Sequence, residues 1–152
     1  MTSGEGSGHM RIALREAQLA GARGEVPVGA ALVAPDGRVF KSGGNRTREH
    51  SDPTAHAETL VIRQACVELG TERLNGFDLY VTLEPCAMCA AVISFARIRR
   101  LYFGAADPKM GAVESGVRYY AQPTCHHAPE VYGGIGESQA AELLRAFFKE
   151  RR

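Results

Sequence analysis

Two short segments constrain the fold of this chain more than any other feature. One is His56-Ala57-Glu58 and the other is Pro85-Cys86-Ala87-Met88-Cys89, and each stands where the sequence predicts the start of a helix. Imidazole nitrogen and thiolate sulfur are ligand types that suit Zn²⁺. If they bind one metal ion, the two helix starts have to meet in the folded chain.

The rest of the chain alternates between patterns typical of strands and of helices. The predicted order is a helix (10–23), a hairpin (28–34 and 38–41), a helix (53–69), a strand (78–83), a helix (85–96), a strand (101–104) and a final helix (138–151). Strand–helix–strand steps place helices on both faces of a sheet. The predicted fold class is therefore α/β, a three-layer α/β/α sandwich on a mixed central sheet. In the final helix we expect Ala141, Leu144 and Phe148 to form the apolar face.

Length and composition limit the other possibilities. A chain of 152 residues, 45% hydrophobic and 23% charged, is typical of one soluble globular domain. Residues 1–8 are small and polar and are expected to form a disordered leader, which leaves 9–152 as a single domain. No apolar run approaches the roughly 20 residues that cross a bilayer, so no membrane segment is predicted. Four cysteines without a disulfide framework favour the reducing cytoplasm.

His56, Cys86 and Cys89 are the predicted ligands of one Zn²⁺ per chain. Three protein ligands leave a fourth position for water, and helix N-termini stabilise thiolates. Together, H-x-E and P-C-x-x-C form the signature of zinc-dependent nucleobase deaminases. Glu58 is not a ligand in that pattern. Its predicted role is to take a proton from the attacking water and to deliver protons to the ring nitrogen and the leaving ammonia.

The chain resembles the bacterial tRNA-specific adenosine deaminases of the cytidine-deaminase-like superfamily, over residues 10–152. The matching segments are spread along the chain: 25–30, 44–46, 52–58, 80–86, 97–105 and 107–112. The zinc motif is common to the superfamily, whereas the last two segments point to the tRNA enzymes. The resemblance implies a zinc hydrolase that converts the wobble adenosine of a tRNA anticodon to inosine. It also implies a homodimer with active sites near the subunit interface.

The same resemblance implies several contacts to the substrate. Asn45 would bind the base or its ribose, and the backbone amide of Ala57 would contact the purine ring. Asp107 and Lys109 would hold the nucleotide backbone. From the residues alone, Asn45 is equally well explained as a turn residue beside Gly44, and Asp107 and Lys109 as a solvated turn.

The end of the last helix is the other implied substrate contact. Phe147, Phe148, Arg151 and Arg152 would pack against the anticodon loop, with paired aromatic rings and basic groups suited to holding RNA. Phe148 could instead belong to the core.

Three alternatives remain open from the residues. A free-base or nucleotide deaminase of the guanine or cytosine type would carry the same zinc motif, because a fold alone does not determine the substrate. A zinc-stabilised RNA-binding module would be expected to lack Glu58, which is present. A redox C-x-x-C protein would need neither His56 nor Glu58.

Basic residues cluster in two places although the net charge is only +1. Three arginines fall within residues 97–100, and three basic residues fall within residues 149–152. Each cluster is either an RNA contact or a solvated face. Both clusters count against the free-base alternative without excluding it.

Two features lie outside the motif. Cys125-His126-His127 offers three more possible metal ligands, but adjacent residues rarely converge on one metal. We therefore expect these residues to form a structured loop near the pocket mouth or the RNA. Thr59 stands where the family usually has an aliphatic residue, and the expected consequence concerns local packing more than chemistry.

Overall fold

Five strands form one mixed sheet in the computed structural model, which describes residues 3–151, with side chains from residue 8. The strands are β1 (Gly29–Val33), β2 (Val39–Gly44), β3 (Asp78–Leu83), β4 (Arg100–Ala105) and β5 (Glu130–Tyr132). Their order is β2-β1-β3-β4-β5. β1 is antiparallel to β2 and β3, whereas β4 is parallel to β3 and β5. The predicted mixed sheet is confirmed, and only the short β5 was missed, because so short a strand carries little periodic signal.

Within residues 3–151, four α-helices cover the two faces of the sheet: α1 (Ser3–Ala22), α2 (Ala57–Leu69), α3 (Ala87–Phe95) and α4 (Glu137–Glu150). α1 and α4 pack on one face, and α2 and α3 on the other, which confirms the three layers. None of these helices is long and apolar enough to cross a membrane. α1 begins inside the predicted leader, Met1 and Thr2 lie outside the described residues, and the leader and domain bounds stay predictions.

Alternation along the strands divides the core between the two faces. In β3, Leu79 and Val81 join the apolar cluster beneath α2 and α3, whereas Tyr80 joins the cluster beneath α1 and α4. β4 repeats the pattern, and its Tyr102 stacks on Tyr80 with ring centroids 4.3 Å apart. Because both faces are covered, the central strands are apolar on both sides.

Helices α2 and α3 begin after their predicted starts at residues 53 and 85. Before α2, Asp52 Oδ1 accepts hydrogen bonds from the backbone N–H and the hydroxyl of Thr54, at 2.8 and 2.7 Å. A side-chain turn of this kind competes with a helical start. As a result, His56 occupies the N-cap position of α2; Cys86 occupies the N-cap position of α3.

The predicted apolar face of α4 was wrong for Phe148. Ala140 and Phe147 are buried, while Phe148 is 48% exposed. Residues seven apart lie on the same side of a helix, so the line from Ala140 to Phe147 faces the sheet. Ala141 and Leu144 are partly buried against the core, so only Phe148 of the predicted face is exposed.

One edge of the sheet collects the segments that the sequence singled out, and we call it the ligand edge. β1 starts there, because it is antiparallel to β2 and β3, which end there. β4 also ends there, because it runs parallel to β3. Asn45, Cys86 and Asp107 therefore follow strands that end at the same edge.

Candidate active site

Two helix starts meet at the ligand edge. His56 Nδ1 lies 3.6 Å from the Sγ atom of Cys86 and 3.6 Å from that of Cys89. Among the side chains that the structure describes, these three form the one group of metal-binding residues that converges, with ligand atoms within 4.8 Å of one another. Tetrahedral Zn²⁺ with ordinary bond lengths separates nitrogen and sulfur ligands by about 3.6 Å. The donor set and its spacing fit Zn²⁺.

The electrostatics of the cluster favour negative charge. His56 and Cys86 cap α2 and α3, so both helices direct the positive ends of their dipoles towards the cluster. Hydrogen bonds from Cys89 and from His56 lower the pKa of the Cys86 thiol to about 4, despite its partial burial. The hydrogen bond to Cys86 raises the pKa of His56. For Cys86 these effects favour the thiolate form that a metal ligand requires, whereas the hydrogen bond with Cys86 and burial raise the pKa of the Cys89 thiol.

Glu58 lies in the first turn of α2, two residues after His56, and is only 4% exposed. Burial raises the pKa of its carboxyl group from 4.5 to about 7. A carboxyl group with a pKa near neutrality can both accept and release a proton at physiological pH. The geometry thus places a proton carrier beside the metal-binding cluster.

Thr59 packs against the cluster. Its side chain is buried, and its hydroxyl lies 3.3 Å from the Sγ atom of Cys89. A thiolate can only accept, so the hydroxyl donates when Cys89 is ionised. Thr59, which differs from the aliphatic residue usual in the family, was expected to affect local packing. In the structure it also supplies a hydrogen bond to a metal-binding side chain.

Asn45 holds the start of α2. Its Oδ1 atom accepts the backbone N–H of Ala57 at 2.8 Å. The two groups implied to contact the base thus bind each other in this structure, while Asn45 remains half-buried at the ligand edge. Their contact with substrate stays a proposal.

The loop after β4 places Asp107 and Lys109 at a groove of about 620 Å³. This groove lies between the loop and α4, and its lining includes Leu83, Asp107, Lys109, Leu144, Phe148 and Arg151. Asp107 Oδ1 also accepts the backbone N–H groups of Lys109 and Met110, at 3.2 and 3.1 Å. Asp107 therefore stabilises its own turn, as the structural alternative predicted, and also faces the groove.

The two phenylalanines near the end of α4 have different environments. Phe147 is buried, and the guanidinium of Arg151 lies over its ring, 3.7 Å from the centroid. Phe148 is exposed at the groove, with its ring edge-on to Phe147 at 5.3 Å. The core position is therefore Phe147. Arg152 lies outside the described residues.

The arginines of segment 97–100 are not at the groove. Arg99 and Arg100 stand at the start of β4, at the edge opposite the ligand edge. Arg99 donates two hydrogen bonds to Asp78, at 3.0 and 2.8 Å, and Arg100 pairs with Glu130 at 3.2 Å. These ion pairs explain the positions of Arg99 and Arg100 without any contact to RNA.

The loop of Cys125-His126-His127 is structured, as expected, but it does not lie at the pocket mouth, and a position near the RNA stays a prediction. The hydroxyl of Ser94, near the C-terminal end of α3, donates to the carbonyl of His127 at 2.6 Å. His127 Nε2 lies 2.7 Å from the carbonyl oxygen of Ile98. The loop therefore packs against the end of α3 that is remote from Cys86, and not at the pocket mouth.

Two buried carboxylates at the ligand edge were missed from the sequence. Glu25 and Glu84 are each 2% exposed. Burial alone would raise the pKa of each carboxyl group, but backbone N–H donors outweigh burial and lower both pKa values. Each stands beside a proline-containing turn and within a segment that matches the family, but nothing in the sequence marks either carboxylate as buried.

The fold and the site together define a class of protein, the zinc-dependent deaminases with a His-Cys-Cys site and a glutamate proton carrier. Residues 5–105 match the family model described as the cytidine and deoxycytidylate deaminase zinc-binding region. The chain is 69% identical over 143 residues to the tRNA-specific adenosine deaminase of Agrobacterium fabrum, covering 94% of this chain and 93% of that protein. The chain therefore belongs to the cytidine and deoxycytidylate deaminase family and, within it, to the tRNA-specific adenosine deaminases.

Solved structures agree with this assignment. One comes from a study of A-to-I editing by tRNA deaminases at the wobble position of transfer RNA. It is 69% identical, has a TM-score of 0.88, and covers 90% of this chain and 99% of that chain. A guanine deaminase from Bacillus subtilis is more distant, at 31% identity and a TM-score of 0.64, with 82% of each chain covered. The family and the converging side chains establish one Zn²⁺ per chain as the cofactor.

Proposed function

We propose that this protein hydrolyses adenosine to inosine at the wobble position of a tRNA anticodon, releasing ammonia. The observation that carries the proposal is a buried Glu58 beside a zinc-binding triad at the ligand edge, where a groove with aromatic and basic lining also lies. The relative from Agrobacterium fabrum, which matches this chain over 93% of its own length, is named a tRNA-specific adenosine deaminase.

The proposed chemistry assigns one task to each group. Zn²⁺, held by His56, Cys86 and Cys89, would activate the attacking water as a Lewis acid. Glu58 takes a proton from that water and passes protons to the ring nitrogen and to the departing amine. Its pKa of about 7 suits both steps.

Four of the proposed substrate contacts, Asp107, Lys109, Phe148 and Arg151, line the groove. Asn45 and the backbone of Ala57 would meet the flipped base, and Asp107 and Lys109 would hold its backbone. The exposed ring of Phe148 can stack on a base of the anticodon loop, and Arg151, with Arg152 beyond the described residues, adds positive charge. A loop base is available for such contacts without opening a duplex.

A homodimer is part of the proposal. Helix α3 carries no charged residue, and its Ala87, Ala91 and Phe95 form a stripe that is partly or fully exposed, with Phe95 67% exposed. An exposed apolar stripe of this kind favours association, and most soluble oligomers are closed and symmetric. We place the protein in the cytoplasm, where tRNA is processed.

The test is nucleoside mass spectrometry after incubation with total tRNA, in parallel with free adenosine, guanine and cytosine. Inosine is expected in the tRNA sample alone. Fast turnover of a free base with unreacted tRNA would overturn the proposal in favour of the free-base alternative. Light scattering at micromolar concentration tests the dimer, with Phe95→Glu expected to give monomers.

A further inference from the structure

Glu84 is a buried carboxylate between β3 and α3, and five hydrogen bonds converge on it. Its Oε1 atom accepts the backbone N–H of Asp107 at 2.9 Å and the hydroxyl of Ser115 at 2.9 Å. Its Oε2 atom accepts the backbone N–H groups of Val113, Glu114 and Ser115, at 3.1, 2.8 and 2.8 Å. A buried charge is stable only when it is fully hydrogen-bonded in this way.

The five donors come from both ends of one loop, residues 107–115. The middle of the loop is tied to the turn that precedes the metal-binding helix, because Ala112 N–H donates to the carbonyl of Pro85 at 2.9 Å. Gly111 lies so close that a Cβ atom there would be 2.5 Å from the Cδ atom of Glu84. The loop is therefore fastened to residues 84–86 along its length.

The same loop carries Asp107 and Lys109 to the groove. Few apolar side chains anchor the loop. Ala112 and Val113 are buried, but Lys109 and Met110 are exposed. Hydrogen bonds to one carboxylate must therefore supply much of the restraint on the loop.

We propose that Glu84 is a positioning residue for the deamination reaction. Its carboxylate holds loop 107–115 against the metal-binding turn, so that Asp107 and Lys109 face the bound RNA at a fixed distance from Cys86. This inference rests on the proposed function for its substrate, but the restraint on the loop is testable without any substrate. Glu84 does not contact the reacting atoms.

The substitution that tests this role is Glu84→Gln, which keeps the shape and replaces one acceptor oxygen by an NH₂ donor. The three N–H groups at Oε2 demand an oxygen, so the NH₂ group faces Asp107 and Ser115. The Ser115 hydroxyl can rotate to accept, whereas the Asp107 N–H cannot. Two donors then face each other at the residue that begins the loop.

We expect Glu84→Gln to keep one zinc per chain while amide hydrogen exchange rises at least tenfold within residues 107–115. For tRNA, KM is expected to rise roughly tenfold or more, with a smaller change in kcat, since supporting residues act through the groups they orient. The matched control is Asp78→Asn, at the other end of β3, where a buried carboxylate accepts two hydrogen bonds from Arg99. That control should leave loop exchange and KM within twofold of wild type.

Unchanged exchange in loop 107–115 of Glu84→Gln would overturn the inference, whatever the enzyme's substrate. Raised exchange with an unchanged KM would also overturn it, because the restraint would then not serve binding. If Glu84→Gln does not fold, Ser115→Ala carries the test, with a smaller rise in loop exchange and in KM expected and no change contradicting it. A wild type inactive on tRNA would instead refute the proposed function and leave the exchange measurement valid.

Discussion

The metal-binding cluster and the groove lie at the same edge of the sheet but are held in place by different interactions. The cluster is formed by the caps of two helices whose bodies pack into the core, so His56 and Cys86 are oriented by backbone geometry. The groove lies between the loop after β4 and α4, and polar groups hold both that loop and the loop after Asn45. Glu25 accepts the backbone N–H groups of Arg48 and Glu49, at 3.1 and 2.9 Å, in the loop after Asn45. Glu84 does the same for the loop that begins at Asp107.

The difference separates chemistry from recognition. Substitutions in the cluster should abolish metal binding or turnover, because each residue has a task that no neighbour can take over. Substitutions in the loops and groove should weaken RNA binding by degrees, because several contacts share the task. The following predictions test that division, from the largest expected effect to the smallest.

Cys86→Ala should remove the zinc, and with it all turnover. Two remaining protein ligands, His56 and Cys89, are too few for a stable tetrahedral site. The measurement is metal analysis of the purified variant by mass spectrometry, with Cys66→Ala on α2 as the control that keeps its metal. Full zinc occupancy in Cys86→Ala would mean that the cluster has been assigned wrongly.

Glu58→Gln should keep the zinc and the fold but lower kcat by at least roughly 10²–10⁴, because the amide cannot carry protons. Single-turnover assays on tRNA measure the rate, and metal analysis is done on the same sample. Zinc loss in this variant would make Glu58 a ligand or a support for the metal site. The pKa of about 7 also predicts that wild-type kcat changes with pH near neutrality.

Phe148→Ala should weaken tRNA binding by roughly 5- to 150-fold, since one base stack on an aromatic ring contributes about 1–3 kcal/mol. Fluorescence polarisation with labelled tRNA gives the Kd. Val67→Ala is the control, because Val67 is also an exposed apolar side chain but lies on α2 away from the groove. Equal affinities for wild type and Phe148→Ala would show that the ring does not contribute to RNA binding.

Glu25→Gln should lower the free energy of unfolding at pH 7 by about 1–3 kcal/mol, because an amide serves the N–H donors poorly. The pKa of Glu25 is lowered in the folded state, so its contribution is present above the unfolded value of 4.5 and is lost as pH falls through the folded pKa. Urea unfolding measured between pH 7 and pH 3 should therefore show that the difference in free energy of unfolding between variant and wild type becomes smaller at low pH. A gap that is constant with pH would contradict the ionised hydrogen-bonded carboxylate.

Thr59→Val should have the smallest effect, a release of zinc to a chelator that is faster by roughly tenfold or less. The variant keeps the volume of Thr59 but removes its hydrogen bond to the Cys89 sulfur, a contact of the kind that tunes metal affinity. Thr59→Ser restores the hydroxyl and should return the rate towards wild type. Identical zinc release rates in all three proteins would show that Thr59 contributes only to packing.

The accuracy of the sequence interpretation varied with the range of the interactions. The three layers and the long elements followed from periodicity, which depends on neighbouring residues alone. The start of α2 was misplaced because a side-chain turn at Asp52 competes with helix formation. Phe148 was placed on the apolar face of α4 because Phe147 and Phe148 have the same hydrophobicity, and only the packing angle on the sheet decides between them.

By itself, the sequence determined which residues converge as metal ligands and predicted Glu58 as the proton carrier, because this chemistry requires particular side chains at short spacings next to helix starts. Only the tertiary structure decided how the ligand edge is assembled. Glu25 and Glu84 look like surface acids in the sequence, since nothing local marks a carboxylate as buried. Their burial depends on N–H groups that lie 23 or more residues away along the chain. Such donors can satisfy a charge only after the strands have brought distant loops together.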